Sequence, residues 1–236
     1  MNTATAPQWF DADTWQQVTD TQSRYADQQP PAAEAEPEGR IGTASVHEPE
    51  AFALTVPGVT NTCGQAAAAS IIKCWGKNRH GSDEALMQHL CSKYPPDLFG
   101  GGAGTSPWRI IEMLKDHGLR AGSTFIEPWL PGGFMNPANQ PAWHAHRHAV
   151  EESWINAGYP AIILADSGLV GHSQGWSAHW LVYHRSGGGQ ASLCNMFGAN
   201  NRYIKGTLPS SKLHEAWEVR FLPVPLMRFH TILIQP

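Results

Sequence analysis

Helical patterns fill the first part of the globular region and strand patterns fill the second, and this order limits the fold more than any other feature. Apolar residues recur every three to four positions in segments that predict helices over residues 66–75, 82–93, 106–117 and 142–158. From residue 159 onwards the pattern changes to short apolar runs between turn residues, which are typical of strands: PAIILAD, HWLVYH, ASLCNMFG, WEVRFLP and RFHTILIQ. Helices followed by strands indicate an α+β domain.

The first 50 residues differ in composition from the rest of the chain. Their segment QQPPAAEAEPEGR is rich in Pro, Ala and Glu, so it cannot bury enough apolar surface to offset the entropy lost on ordering. We therefore predict a flexible N-terminal region over residues 1–50 and one globular domain over residues 51–236. The N-terminal region is a pro-segment, a delivery segment or an idle tail, and the sequence leaves these three alternatives open.

The charge and hydropathy of the chain exclude several classes of partner. The 236 residues carry a formal net charge of −4, which gives no electrostatic attraction to nucleic acid or to an anionic membrane. No apolar run approaches the roughly 20 residues of a membrane span. The N-terminus lacks the basic start and apolar core of a secretory signal peptide. We expect cytoplasmic synthesis without a signal peptide, and any export would use a leaderless secretion system.

Neither the cysteines nor the histidines show the spacing of a metal site. The four cysteines form no CxxC pair and are too few for a disulfide framework, so free thiols are predicted. His144, His146 and His148 resemble a metal motif, but no further ligand stands at a recognisable spacing, and they are interpreted as an exposed helix face. Four more histidines are interpreted as surface residues of helices or loops: His80, His89, His117 and His214. We predict no metal and no cofactor.

Cys63 is the candidate nucleophile. It lies between the turn-like Asn61–Thr62 and Gly64, directly before an alanine-rich helix, whereas a structural cysteine would be expected inside an apolar run. A helix N-terminus favours the thiolate over the thiol, and the small side chains leave room for a substrate carbonyl beside the sulfur. A nucleophilic thiol also needs a base, which is a histidine distant in the sequence but near in space.

His179 is the candidate base, and Asn195 is its candidate partner. His179 opens the strand HWLVYH, and the glycine turn that follows predicts a hairpin with the strand ASLCNMFG. In that hairpin the residue opposite His179 would lie within one position of Asn195, whose side chain could accept the imidazole N–H and fix the ring. His172 in the preceding loop is the alternative base. A purely structural polar role is the alternative for Asn195.

Five motifs occur along the chain in a fixed order: NTCGQAAAASIIKCW, SPWRIIEMLKDHGLRA, AGYPAIILAD, SAHWLVYH and SLCNMFG. Over residues 55–200, this order resembles that of the papain-like cysteine peptidases, in particular the compact bacterial branch with the bacteriocin-leader peptidases and secreted effector proteases. The resemblance implies a central N-terminal helix that carries the nucleophile and packs on an antiparallel β-sheet. It also implies a Cys63–His179–Asn195 triad.

One position departs from the pattern of this family. A glutamine about six residues before the cysteine usually helps to form the oxyanion hole there, and Pro57 occupies that position in this chain. Asn61 is the candidate replacement, together with the backbone N–H of Cys63. Because the loss of one oxyanion donor typically costs about 3 kcal/mol of transition-state stabilisation, Pro57 is compatible with a substitute donor, an atypical acyl transfer or a degenerate enzyme.

The resemblance implies a cysteine hydrolase that cleaves an amide bond of a peptide or protein through a thiolate held by His179. A cell-wall amidase, a glutamine deamidase and a transglutaminase would use the same triad, so these alternatives stay open. The ten tryptophans offer a further alternative, a degenerate module that binds peptide or glycan. By analogy with secreted effectors we expect a bacterial effector or toxin, with a cognate immunity or inhibitor protein if the enzyme harms its producer. A housekeeping intracellular peptidase is the alternative.

Overall fold

The chain forms one antiparallel sheet with helices on both faces. The computed structural model describes residues 61–97, 104–123, 152, 154–156, 158–170, 178–197, 203–217 and 231–236. The predicted boundary at residue 50 lies outside these residues, as does most of the helix predicted over 142–158. Within them, no helix combines the length and the apolar character that a bilayer-spanning segment requires.

The helices begin and end close to the predicted positions. Their bounds are α1, Cys63–Cys74; α2, Asp83–Lys93; α3, Pro107–Asp116; and α4, Ser210–Trp217. The predicted caps are present, because the Ser82 hydroxyl accepts from the N–H of Ala85 and the Ser106 hydroxyl accepts from the N–H of Arg109. Helix α1 begins at Cys63, three residues before its predicted start, so the thiol belongs to its first turn.

Six strands form the sheet in the order β1-β6-β2-β3-β4-β5, and every neighbouring pair is antiparallel. The strand bounds are β1, Arg120–Ser123; β2, Ala161–Asp166; β3, Ala178–Gly187; β4, Gln190–Phe197; β5, Tyr203–Pro209; and β6, Thr231–Gln235. The predicted hairpin joins β3 to β4. Its turn residues Gly188 and Gly189 have φ of 58° and 72°, as a type I′ turn requires. The predicted α+β class is confirmed.

The predicted strand WEVRFLP is wrong at its first residue, because Trp217 is the last residue of α4. Three elements escaped prediction: β1, β5 and α4. Strand β5 gives little hydrophobic signal, because it lies at the edge of the sheet and most of its residues are half-buried or exposed. An edge strand of this kind has one partner and needs few apolar side chains.

The sheet has an apolar cluster on each face. Helices α1, α2 and α3 cover one face, which includes Trp180 and Val182 of β3, whereas α4 covers the other, which includes Leu181 and Tyr183. Because both faces are covered, residues 179–183 of β3 are a continuous buried run. Helix α1 packs directly on β3 and β4, and its four alanines are fully buried. The central helix therefore presents Cys63 at the end of the sheet where β3 begins.

Candidate active site

Cys63 is the one cysteine of the four that is partly exposed. Cys74, Cys91 and Cys194 are buried, whereas Cys63 is half-buried at the edge of the core, and all four are free thiols as predicted. Burial raises the pKa of Cys74 to about 12 and that of Cys91 to about 11, so neither is poised for nucleophilic chemistry.

The thiol of Cys63 is surrounded by backbone donors. Burial raises its pKa above the ordinary value, and hydrogen bonds from the backbone N–H groups of Trp180, Gly64 and Cys63 itself oppose that rise. Because burial is the largest of these effects, the resting side chain is a neutral thiol. The predicted helix-terminus donors are present, but in the resting site they do not produce the predicted thiolate.

A chain of buried hydrogen bonds fixes the start of β3 against the first turn of α1. The Gln65 side chain donates from Nε2 to the carbonyl of Tyr94 at 2.7 Å and accepts at Oε1 from the Thr105 hydroxyl at 2.8 Å. Trp180 Nε1 donates to the carbonyl of Thr105, also at 2.8 Å. Because Trp180 follows His179 directly, this connection positions the predicted base close to the helix that carries Cys63.

Gly64 is required for this close approach. A Cβ atom at position 64 would lie 2.6 Å from Cβ of Thr105, which is a stiff, fully buried residue. We expect Gly64→Ala to lower the free energy of unfolding by about 2 kcal/mol, because the overlap cannot be relieved without moving backbone. Urea denaturation measures this loss. Gly187→Ala is the matched control, since nothing lies near its Cβ position. Equal stability of the two variants would contradict the tight contact.

His179 is buried, with 1% of its surface exposed, and its ring is held by a backbone carbonyl. Nε2 lies 2.6 Å from the carbonyl oxygen of Asn195. A carbonyl can only accept, so Nε2 carries the hydrogen and Nδ1 of the neutral ring is the basic atom. Burial lowers the pKa of His179 to about 4, while the hydrogen bond to Asn195 opposes that change. The resting imidazole is therefore neutral.

Asn195 contacts His179 through its main-chain carbonyl, whereas the sequence predicted a contact through its side chain. Its side-chain Nδ2 donates to the Ser70 hydroxyl at 3.1 Å, and Ser70 in turn donates to the carbonyl of Ala66 at 3.0 Å. Asn195 has φ of 63°, a left-handed conformation that asparagine tolerates better than most residues. This conformation turns its carbonyl towards the imidazole and its amide towards α1.

The predicted register of the β3–β4 hairpin is wrong. Val182 pairs with Cys194 in an antiparallel arrangement. If this pairing continued along the two strands, position 195 would lie opposite 181 and position 197 opposite 179. Strand β4 is irregular against β5 between Leu193 and Met196, a stretch that contains Asn195. A bulge redirects side chains locally, and sequence patterns do not reveal its position. The hairpin itself also shifts register between Tyr183 and Arg185, which moves the pairing away from the count expected from the turn.

Tyr203 is a site residue that the sequence did not indicate. Its ring centroid lies 5.6 Å from that of His179, and its hydroxyl hydrogen-bonds with the Thr62 side chain. Burial raises the pKa of Tyr203, and the nearby Cys63 raises it further. The tyrosine at the start of β5 therefore lies between the residue that precedes α1 and the imidazole on β3.

The remaining predictions for the site have mixed outcomes. Asn61 is exposed beside Cys63 with φ of 59°, which leaves its predicted role as an oxyanion donor a prediction. Pro57 and His172 lie outside the described residues. Of the ten tryptophans, five are described and all pack in or against the apolar clusters, which disfavours an aromatic groove built from them: Trp75, Trp108, Trp154, Trp180 and Trp217.

Among the histidines predicted as surface residues, the prediction is wrong for His117. His117 is buried, and His80 and His89 are half-buried and lie against it. The sequence could not indicate this, because the three belong to different elements. His214, on α4, is likewise half-buried, with Nε2 lying 3.3 Å from a carboxylate oxygen of Glu152. His144, His146 and His148 fall in a part of the chain that is not described.

The two roles of Asn195 can be separated by mutation. We expect Asn195→Gly to lower the free energy of unfolding by about 1 kcal/mol through loss of the bond to Ser70. Any activity that depends on His179 should stay within about tenfold of wild type, because glycine keeps both the carbonyl and the left-handed backbone. Ser70→Ala removes the same bond and is the matched control. A loss of kcat/KM of about a hundredfold in Asn195→Gly alone would instead assign the side chain to the imidazole.

Comparison with known proteins gives similarity in structure without similarity in sequence. No family model matches the chain, and no curated protein matches it. The crystal structure of a putative C39-like peptidase from Bacillus anthracis superimposes with a TM-score of 0.51 at 10% identity, over 81% of this chain and 97% of that one.

A second similar structure is the peptidase domain of Streptococcus ComA, a bi-functional ABC transporter involved in a quorum sensing pathway. Its TM-score is 0.48 at 15% identity, over 80% of this chain and 99% of that domain. Two observations indicate the same fold: the superposition on the Bacillus anthracis structure and the packing of the helix that carries Cys63 on the sheet. The chain has the fold of the papain-like cysteine peptidases, in its C39-like form.

Proposed function

We propose that this protein is a cysteine hydrolase that cleaves an amide bond in a peptide or protein. Cys63 is the nucleophile, His179 is the base, and the carbonyl of Asn195 orients the imidazole. One observation carries the proposal: strand β3, which carries His179, packs directly on helix α1, which begins at Cys63, and the backbone N–H of Trp180 lowers the pKa of the Cys63 thiol. The strand with the candidate base therefore lies against the helix with the candidate nucleophile, on a fold that cysteine peptidases share.

Because the Cys63 thiol and the His179 imidazole are both neutral at rest, a proton has to move between them during the reaction. As the Cys63 sulfur attacks the amide carbonyl, the thiol proton passes to Nδ1 of His179 and an S–C bond forms. The imidazolium then gives that proton to the amide nitrogen as the C–N bond breaks, which leaves a thioester. Water, deprotonated by the same nitrogen, hydrolyses the thioester and restores the thiol. In this order of steps, His179 acts as a general base on a neutral thiol. The amino-acid sequence had instead predicted a thiolate in the resting site.

The backbone donors around Cys63 support the oxyanion step. The backbone N–H groups of Cys63 and Gly64 lower the pKa of the Cys63 thiol, so they point towards the sulfur. The oxygen of the attacked substrate carbonyl would therefore lie close to these two donors. Asn61 extends from the exposed side of the same turn and is the proposed side-chain donor in place of the usual glutamine. The proposal therefore assigns most of the oxyanion stabilisation to the main chain of α1.

Peptidase, amidase, deamidase and transglutaminase reactions share these steps and differ in the leaving group and the acceptor. A library of peptides, cell-wall peptides and a primary amine should be incubated with wild type and with Cys63→Ala, and the products identified by mass spectrometry. New peptide termini indicate a peptidase or amidase, conversion of glutamine to glutamate indicates a deamidase, and amine incorporation indicates a transglutaminase. Products formed equally by Cys63→Ala would contradict the proposal.

A binding module without catalysis is the second candidate, and the burial that keeps Cys63 and His179 neutral favours it. The packing of the described tryptophans against the core counts against the aromatic groove predicted for such a module. A binder would retain its ligand in Cys63→Ala and would release no products. The same library, analysed for retained peptides, therefore separates the two candidates.

We further propose, from the sequence, that the protein acts as a secreted bacterial effector or toxin with an inhibitor protein as partner. Residues 1–50 would then serve as a delivery or pro-segment. A chain that starts at residue 51 tests the role as a pro-segment, because removal of a pro-segment should raise the activity. Unchanged activity would leave delivery, measured as export from the producing cell, as the role of this region.

A further inference from the structure

Three histidines from separate elements converge on the helical side of the molecule. His80 lies in the loop after α1, His89 lies on α2, and His117 caps the C-terminus of α3. One ring nitrogen from each lies within 4.8 Å of the other two. The rings of His80 and His89 stack at 4.2 Å between centroids, and that of His117 lies 5.7 Å and 6.0 Å from them.

His117 is oriented as a metal-binding histidine usually is. It is 4% exposed, and its Nδ1 lies 2.7 Å from the carbonyl of Met113. Since that carbonyl can only accept, Nδ1 carries the hydrogen and the lone pair belongs to Nε2. Ligating histidines characteristically donate their second ring nitrogen to a carbonyl or carboxylate, which fixes both tautomer and orientation.

The surroundings of the three rings supply one acidic group. Asp116 directly precedes His117 and binds Lys93 and the Tyr94 hydroxyl through its carboxylate. It therefore contributes negative charge near the rings while its Oδ2 atom is engaged by both partners. The loop that carries His80 is shaped by Asn78, whose side-chain oxygen accepts from the His80 N–H at 2.9 Å. These contacts position the histidines independently of Cys63 and its base.

We propose that His80, His89 and His117 form a binding site for a divalent transition-metal ion of the zinc class. Neutral imidazole suits this class of ion, and three protein nitrogens with one position left for water or another small ligand are a common tetrahedral set. A zinc–nitrogen distance of about 2.0–2.1 Å places the ligand atoms about 3.4 Å apart. Because these atoms now lie within 4.8 Å of one another, binding would bring them closer by at most about 1.4 Å. The ion would join the loop after α1 to α2 and α3.

The test uses the full chain, stripped with a chelator and titrated with zinc chloride in a weakly coordinating buffer by calorimetry. Wild type should bind one zinc ion per chain, and the double variant His80→Gln, His89→Gln should lose more than about tenfold in affinity. Cobalt chloride should give the visible bands of a tetrahedral nitrogen site in wild type only. His117 stays unchanged, because its bond to Met113 also supports the end of α3.

Two controls exclude other ligands of the chain. The double variant His144→Gln, His148→Gln tests whether the histidines that are close together in the sequence bind the ion, and Cys63→Ala tests whether the thiol does. Neither variant should change the zinc affinity. At zinc about a hundredfold above Kd, the melting temperature of wild type should rise by about 5 °C and that of the double histidine variant should not. The proposal is overturned if wild type binds no zinc, if binding survives in His80→Gln, His89→Gln, or if it is lost in Cys63→Ala.

Discussion

Cys63→Ala should lower the hydrolysis of any amide substrate of this protein by about 10⁴-fold or more. Loss of the nucleophile removes the covalent route, and only substrate binding and backbone donors remain to assist direct attack by water. The measurement is kcat/KM for a cleaved peptide from the library. The effect should appear in kcat with little change in KM, because the thiol contributes to the reaction and adds little to the binding of the ground state.

Cys74→Ala is the matched control for this experiment. Cys74 is the last residue of the same helix and is fully buried, so its loss tests the effect of a cysteine substitution on α1 alone. It should keep activity within about tenfold of wild type while it lowers stability by about 1 kcal/mol. Equal activity losses in the two variants would indicate damage to the helix and would contradict a specific role for Cys63.

The stability of the protein should fall between pH 6.5 and pH 4 because of His179. Its folded-state pKa of about 4 lies below the ordinary value of 6.5, so in this range the unfolded chain binds a proton that the folded chain excludes. The contribution of the neutral histidine is therefore fully present above the unfolded pKa and is lost as the pH falls through the folded one. The loss amounts to about 3 kcal/mol and levels off below the folded pKa.

Urea denaturation at about pH 7.5 and about pH 4 measures this loss. In His179→Gln the side chain cannot titrate but still offers an N–H to the Asn195 carbonyl, so the fall in stability should be smaller by about 3 kcal/mol. His184→Gln removes a half-buried imidazole from the same strand while His179 is kept, and it is the comparison variant. An identical pH dependence of wild type and His179→Gln would contradict the burial of a neutral imidazole.

Local features of the site were predictable from the sequence. Ser82 and Ser106 cap their helices as expected, because capping depends on residues a few positions apart. Cys63 at the start of α1 and His179 at the start of β3 follow from the same kind of local pattern. The fold class also followed, since it depends on the order of the elements.

Features that depend on long-range geometry were not predictable. The role of Asn195 depends on its left-handed backbone conformation, in which the carbonyl and not the side chain contacts the imidazole. Tyr203 opens an edge strand with little apolar signal. The neutral state of the half-buried Cys63 and of the buried His179 depends on packing that no motif encodes. Sequence motifs therefore indicated the candidate residues of the site but not their protonation.

The central claim is that His179 removes the proton of Cys63, and the rate of iodoacetamide alkylation of Cys63 tests it most directly. Followed by intact mass and peptide mapping at about pH 7, the native protein should react at Cys63 alone, and His179→Ala should slow that reaction by about tenfold or more. The two rates should converge at about pH 10, where hydroxide removes the proton without the imidazole. Equal rates at neutral pH, or a Cys63 that reacts no faster than the buried Cys74, would contradict the account.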